Sequence, residues 1–238
     1  MTGMNLAIIN RRKTTSARRR DGVGMSGREQ RVQVRDAELT RKRILAAAKV
    51  EFAKKGLGGA RVDEIAARSK ANKRMIYHYF GGKELLFTAV LEEAYTDIRM
   101  AERELALDIL EPVDAIERLV RFTWNYYLAN PEFLTLVNSE NLHKGRHLKS
   151  SKTIRAVNQP FVAMVKGILD RGVASGAFRK GIDPVQLNIT IAAIGYYYLT
   201  NRFTGAIIFD RDLMARTMLA ERVVFNVETI LRLVKARP

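Results

Sequence analysis

"RVDEIAARSKANKRMIYHYFGGKE", residues 61–84, holds two short helical patterns, Val62–Ser69 and Asn72–Tyr79, joined by only a few residues. Asp63 and Glu64 fall in the first turn of the first pattern, where the helix dipole favours carboxylates. Asn72 is a good N-cap for the second. Ile76 and Phe80 are four residues apart and share one face, while Lys73, Arg74, Tyr77 and His78 fall on the other. A core helix would not carry these polar residues, and a solvated one would not spend its aromatics on water. The spacing is that of a helix-turn-helix, whose second helix lies in the major groove of DNA. Arg or Lys can bond guanine O6 and N7, and Tyr and His suit phosphate oxygens and base edges. Lys83 opens the next helix, where its ammonium and the backbone N–H groups both favour a phosphate.

Outward from this stretch the pattern stays helical. Leu45, Ala48 and Phe52 recur on one face of a helix from Thr40, and Gly56 stands where a C-cap belongs. A helix from Lys83 carries Leu86, Ala89 and Val90 inward past Arg99, and Pro112 or Asp114 opens a fifth. Pro131 opens a sixth, followed by a polar stretch around 141–152. Phe161, Met164, Val165, Ile168 and Leu169 define a seventh helix. Asp183-Pro184 opens an eighth that is apolar on nearly every side, and Leu219 to Val234 define a ninth. With no convincing strand alternation, the fold class is all-α. The expected organisation is a disordered basic arm over 1–35, a three-helix DNA-binding domain over 36–84, and a helical bundle for ligand binding and dimerisation over 85–238.

Charge supports this division. Of the net +16, residues 1–39 carry 9 Lys/Arg against 4 Asp/Glu, and residues 40–85 carry 12 against 4. The remaining 153 residues carry 20 against 17. A localised excess is an electrostatic footprint for a polyanion. The chain has no cysteine, which removes thiol chemistry, disulfides and cysteine-ligated zinc. The most apolar stretch, near Ile189–Leu199, is too short and too interrupted to span a membrane, and the N-terminus lacks the order of a secretory signal. A cytoplasmic protein is expected. Gly22, Gly24 and Gly27 match the dinucleotide fingerprint only formally, without the strand and helix it requires. The arm also reads as an upstream start, with Met25 as the more natural beginning.

The segment "TRKRILAAAKVEFAKKGLGGARVDEIAARS…KRMIYHYFGGKELLFTAV", residues 40–90, resembles the N-terminal domain of the TetR/AcrR family of bacterial transcriptional regulators. Its Ile44-Leu45, Phe52, Gly56, Val62, Ile65-Ala66, Ile76-Tyr77, Phe80 and Lys83-Glu84 occur in the family's order and spacing. The resemblance implies a dimeric, ligand-responsive repressor bound to a double-stranded operator. It also places Lys73, Arg74, Tyr77, His78 and Lys83 at DNA-contacting positions. Arg41 and Arg61 join them as candidates, Arg61 standing where the family often has a capping Thr. Met75 stands where a small polar residue is common and suits a thymine methyl. Lys70 occupies the family's turn glycine, which predicts a reshaped turn. "NLHKGRHLKSS", "GVASGAFRKGIDPVQL" and "GYYYLTNRFTGAIIFDRDL" resemble the effector domain of a subgroup associated with catabolism of small heterocyclic or aromatic compounds. Gly205 departs from the bulkier residue expected after Thr204.

Candidate ligand contacts in the bundle are Trp124, Tyr127, Asn141, His143, Asn201 and Arg202, with core packing the first reading for the aromatics and ligand contact the second. Arg202 interrupts an apolar run, so it pairs with an acid such as Asp210, reaches an anionic ligand, or lies at a dimer edge. His143 and His147 are spaced i, i+4, but Lys144, Arg146 and Lys149 would repel a metal ion, so a polar loop or pocket rim is expected. Glu102, Glu104 and Asp108 read as charged helix surface. No metal site, cofactor or convergent catalytic set is expected, which excludes an enzyme with an accessory DNA domain. A sequence-nonspecific architectural DNA-binding protein is the alternative. The balanced, core-rich residues 86–238 are larger than that role needs.

Overall fold

The computed structural model describes residues 27–149 and 151–236. Among them ten helices follow in order: α1 (Gly27–Gly59), α2 (Val62–Ser69), α3 (Lys73–Phe80), α4 (Lys83–Arg103), α5 (Pro112–Ala129), α6 (Pro131–Leu142), α7 (Lys152–Ala174), α8 (Pro184–Thr200), α9 (Arg202–Phe209) and α10 (Arg216–Val234). The only pairing of strand type in these residues is an isolated bridge between Phe178 and Lys235. The chain is therefore all-α, with a helix-turn-helix ahead of a larger bundle.

The described residues fall into two units that divide between Glu38 and Leu39. In the first, the backbone from Gly27 onward is helical, which corrects the expectation of an unstructured segment through residue 35. Arg, Glu and Gln add to an existing helix with little loss, so helix seeded in the strong pattern after Thr40 propagates upstream. The Gly22–Gly27 match and Met25 lie outside the described residues, apart from Gly27 itself. Gly56, at φ 65° and ψ 177°, interrupts α1 where the sequence places a cap.

The second departure is a break at Asn201. Its Nδ2 bonds the Tyr197 carbonyl at 2.9 Å, and its own carbonyl accepts from Gly205 N at 2.7 Å. One helix becomes two, and the expected nine become ten. A Cβ at Gly205 would stand 2.8 Å from Leu213 Cδ1, so the Leu213 side chain would have to shift to admit one. The third concerns α7, which begins at Lys152 and runs through Pro160. Ser151 caps it by accepting from Ile154 N at 3.2 Å, and donates to Glu92 Oε1 at 2.6 Å, tying it to α4.

Two apolar clusters hold the second unit together. One gathers Ile44, Phe52, Ile65, Ile76, Phe80, Leu86 and Phe87 and continues through Leu91 and Ile98 to Trp124, Phe133 and Leu199. It crosses the expected boundary at residue 84, so the helix-turn-helix and the start of the bundle share one core through α4. The other gathers Ile116, Leu119, Phe161, Val165, Ile168, Ile191 and Ile230 between α5, α7, α8 and α10.

Candidate DNA-binding surface and effector site

The turn between α2 and α3 is built without glycine. Lys70 takes the left-handed conformation, φ 52° and ψ 34°, and its N–H bonds the Ala67 carbonyl. Asn72 then caps α3 by accepting the Arg74 N–H at 2.9 Å. Ile76 and Phe80 are buried, and Lys73, Arg74, Tyr77 and His78 are exposed. Met75 is half-exposed and packs against the first core.

The flanking positions are already tied to the protein. Lys73 Nζ reaches Asp63 Oδ1 at 2.7 Å, joining α3 to α2, and that hydrogen bond raises the ammonium above its usual range. Arg61 has extended backbone and supplies no side-chain cap; its N–H is 3.4 Å from Oε1 of buried Glu51. Lys55 lies 2.8 Å from the same carboxylate and holds it below the usual range. Arg41 lies over the Phe80 ring at 5.3 Å. Lys83 turns its ammonium onto the carbonyls of Ala60 (3.0 Å) and Gly58 (3.4 Å) at the end of α1. Of its three N–H groups, one remains for a phosphate.

The six candidate ligand residues do not converge. Trp124 and Tyr127 are buried, with Tyr127 stacked on Phe133 at 5.9 Å and both rings close to Gly195. Burial pushes the Tyr127 phenol up. Asn141 is exposed and bonds the Val137 carbonyl, while His143 Nδ1 lies 2.7 Å from the Ser139 carbonyl. Asn201 lines a groove of about 550 Å³ between α8, α9 and α10, with Tyr198, Phe209 and Arg222. Arg202 does not pair with Asp210. It donates to the Leu199 carbonyl at 2.7 Å and lies over Phe203 at 4.5 Å, because the end of α8 offers a carbonyl next to it. His147 is not on a rim: it is buried, with Nδ1 2.6 Å from Glu140 Oε2 and its ring edge-on to Phe87.

Glu102 overturns the surface reading given to it. It is 2 % exposed and faces Arg99, Nη1 to Oε2 at 2.9 Å, beside a cavity of about 110 Å³. The approach is too oblique to be a hydrogen bond: Arg99 Nε and Nη1 and Glu102 Oε2 lack hydrogen-bond partners among the described residues. Burial pushes the Glu102 carboxyl up to about 7, against the pull of Arg99. The signal was available in the sequence, since Phe87, Leu91, Ala94 and Ile98 form an inward stripe whose next position is residue 102.

A capped basic helix, exposed on one side and wedged by two apolar residues on the other, defines a helix-turn-helix DNA-binding protein. The chain belongs to the TetR family of transcriptional regulators. Residues 44–90 match the family model for bacterial regulatory proteins of the tetR family, and residues 112–230 match the tetracyclin repressor-like C-terminal domain. The transcriptional repressor NicS of Pseudomonas putida is 38% identical over 208 residues, 87% of this chain and 98% of that protein. A crystal structure of a transcriptional regulator from Streptomyces coelicolor superposes with a TM-score of 0.61 at 26% identity, covering 84% of this chain and 99% of that one. FadR of Bacillus subtilis, solved with stearoyl-CoA, gives 0.59 at 16% identity over 80% of this chain and 97% of its own, a likeness of fold. No described helix is long and apolar enough to cross a membrane.

Proposed function

We propose that this protein is a homodimeric repressor that binds a near-palindromic operator and releases it when a small molecule enters the bundle. The observation that carries the DNA reading is the exposed quartet Lys73, Arg74, Tyr77 and His78 on a helix whose other face is locked by Ile76 and Phe80. Arg74 reads a base, Tyr77 and His78 meet base edges or phosphate, and Lys73, Lys83, Arg41 and Arg61 meet the backbone. Repression by the similar NicS supports the direction of control.

Dimerisation is supported by α8. Leu187, Ile191, Gly195 and Leu199 face the core, and the opposite stripe of Val185, Ile189, Ala193 and Tyr197 is exposed. Phe203, Ile207, Ile208 and Phe209 on α9 and Val224 and Phe225 on α10 extend this apolar face. A continuous patch of this kind marks an interface, and a two-fold axis pairs it with itself. The groove holding Asn201 lies on the same face.

Release then follows from population shift. The ligand favours a bundle in which the two recognition helices no longer match grooves about 34–36 Å apart. Three contacts couple the halves: Lys49 to Glu132 at 3.3 Å, Leu57 N to Ser139 Oγ at 3.4 Å, and Arg146 to Glu84 at 2.9 Å. The reading is tested by selecting DNA from a random pool with the purified protein. A recovered inverted repeat supports it; recovery of unrelated sequences with equal affinity favours an architectural protein instead.

A further inference from the structure

The loop between α6 and α7 is fastened to α4, which follows α3 after only two glycines. Arg146 Nη2 donates to Glu84 Oε1 at 2.9 Å, the His147 ring stands edge-on to Phe87 at 5.3 Å, and Ser151 donates to Glu92 Oε1 at 2.6 Å. The first two anchors are joined to each other. Arg146 Nε donates to His147 Nε2 at 3.2 Å, and His147 Nδ1 lies 2.6 Å from Oε2 of Glu140. Both His147 and Glu140 are buried, and Glu140 Oε1 also accepts the backbone N–H of His147 at 2.8 Å.

These bonds fix where the imidazole proton is. A guanidinium only donates, so Nε2 presents its lone pair to Arg146 and Nδ1 carries the N–H that Glu140 accepts. The chain runs in one direction, from Arg146 into a neutral ring and from the ring into Glu140, with the same guanidinium held on Glu84. A second proton on the ring has only Nε2 to go to. There it meets the Arg146 N–H, donor against donor and cation against cation. Histidine is the side chain whose charge ordinarily changes between about pH 5 and 8. The other groups around the pair are His143 at the end of α6, its ring centroid 5.6 Å from that of His147, and Tyr95 of α4, which interacts with Glu140 and whose phenol burial holds above its usual range. Lys144 and Lys149 are exposed on the loop itself, and Phe87 makes the α4 side of the ring apolar.

We propose that Glu140, His147, Arg146 and Glu84 form a proton-sensitive latch between the bundle and the start of α4, in which protonation of His147 releases Arg146 from Glu84 and weakens operator binding. The link to the operator rests on the regulatory reading above. Arg146 is a positioning residue: it acts through Glu84, the neighbour of Lys83. While Arg146 covers it, the Glu84 charge is offset. Once released, Glu84 is an unpaired carboxylate beside a phosphate contact, and the first turn of α4 loses a tie to the bundle. Both members of this outer pair are exposed, so the change needs no rearrangement of the core.

Affinity of the full-length protein for its selected operator at pH 8 and at pH 5.5 tests the latch, in wild type, Arg146→Met, His147→Asn and Glu84→Gln. Wild type should lose about threefold more affinity on acidification than Arg146→Met, the scale of an exposed charge pair. His147→Asn keeps an N–H for Glu140 but takes up no proton and offers Arg146 no acceptor. At pH 8 it should bind the operator about threefold more weakly than wild type and show no extra loss on acidification. Glu84→Gln should also remove the extra loss. His78, His143 and Glu102 are present in all four proteins, so their effect cancels in the comparison. Nitrogen magnetic resonance of the DNA-free protein gives a second readout. At pH 8 the His147 proton should be on Nδ1 and the Arg146 Nε–H should exchange slowly with water, and acidification should speed that exchange. A ring protonated on Nε2 alone at pH 8 would overturn the latch. Equal losses in wild type and Arg146→Met would overturn its control of DNA binding. Failure to select any operator would count against the regulatory reading alone, and the nitrogen signals would still decide the latch.

Discussion

Asn72 Oδ1 accepts the backbone N–H of Arg74 at 2.9 Å, so the residue that caps α3 also fixes the start of the segment presenting Arg74, the proposed base reader. The two roles separate by substitution. Asn72→Ala should lower stability by about 1 kcal/mol and weaken every DNA sequence alike. Arg74→Ala should leave the melting temperature unchanged and cost about 1–3 kcal/mol of preference at one base pair. Selected motifs and melting curves of the two variants distinguish these outcomes.

Lys83 has one free N–H after bonding Ala60 and Gly58. Lys83→Met should weaken specific and random DNA to the same extent and reduce the slope of log affinity against log salt by about one. A salt slope equal to that of the wild type would restrict Lys83 to joining α1 and α4.

Phe225 is 59% exposed on α10, whereas Val227 two residues on is 5% exposed. Phe225→Asp should give a folded monomer that binds the operator poorly, read by light scattering at micromolar concentration. Val227→Asp should instead unfold the chain, since an unpaired charge would enter the second core.

Glu102 makes stability depend on pH. In the folded protein the carboxyl keeps its proton up to about pH 7, while the unfolded chain releases it near the ordinary value of 4.5. The folded state therefore binds more protons across that window, and stability falls as pH rises through it, by about 3 kcal/mol in all. Glu102→Gln should melt higher than wild type at pH 8 and alongside it at pH 4, as measured by thermal denaturation.

The basic N-terminal segment is proposed to neutralise phosphates of any sequence. Deleting residues 2–26 should weaken specific and random DNA by similar factors, most visibly at low salt, with the selected motif unchanged. A motif altered at flanking base pairs would mean that the segment reads the minor groove.

The sequence by itself determined the helix-turn-helix. Its caps, its inward pair Ile76 and Phe80 and its exposed basic residues are local, set by helix periodicity over a few turns. The turn at Lys70 was expected to be reshaped for want of glycine, and the structure instead keeps the left-handed conformation there. Tertiary structure decided what depends on distant partners. Arg202 found the end of α8 rather than Asp210, and Lys83 found the end of α1, because those carbonyls lie within reach only once the helices pack. Trp124 and Tyr127 went to the core beside Gly195, which no spacing along the chain specifies. Glu102 lay on a readable stripe, but its burial required α7 to cover that end of α4. A charge is on the surface or inside according to what packs over it, and that is a property of the fold rather than of its neighbours in sequence.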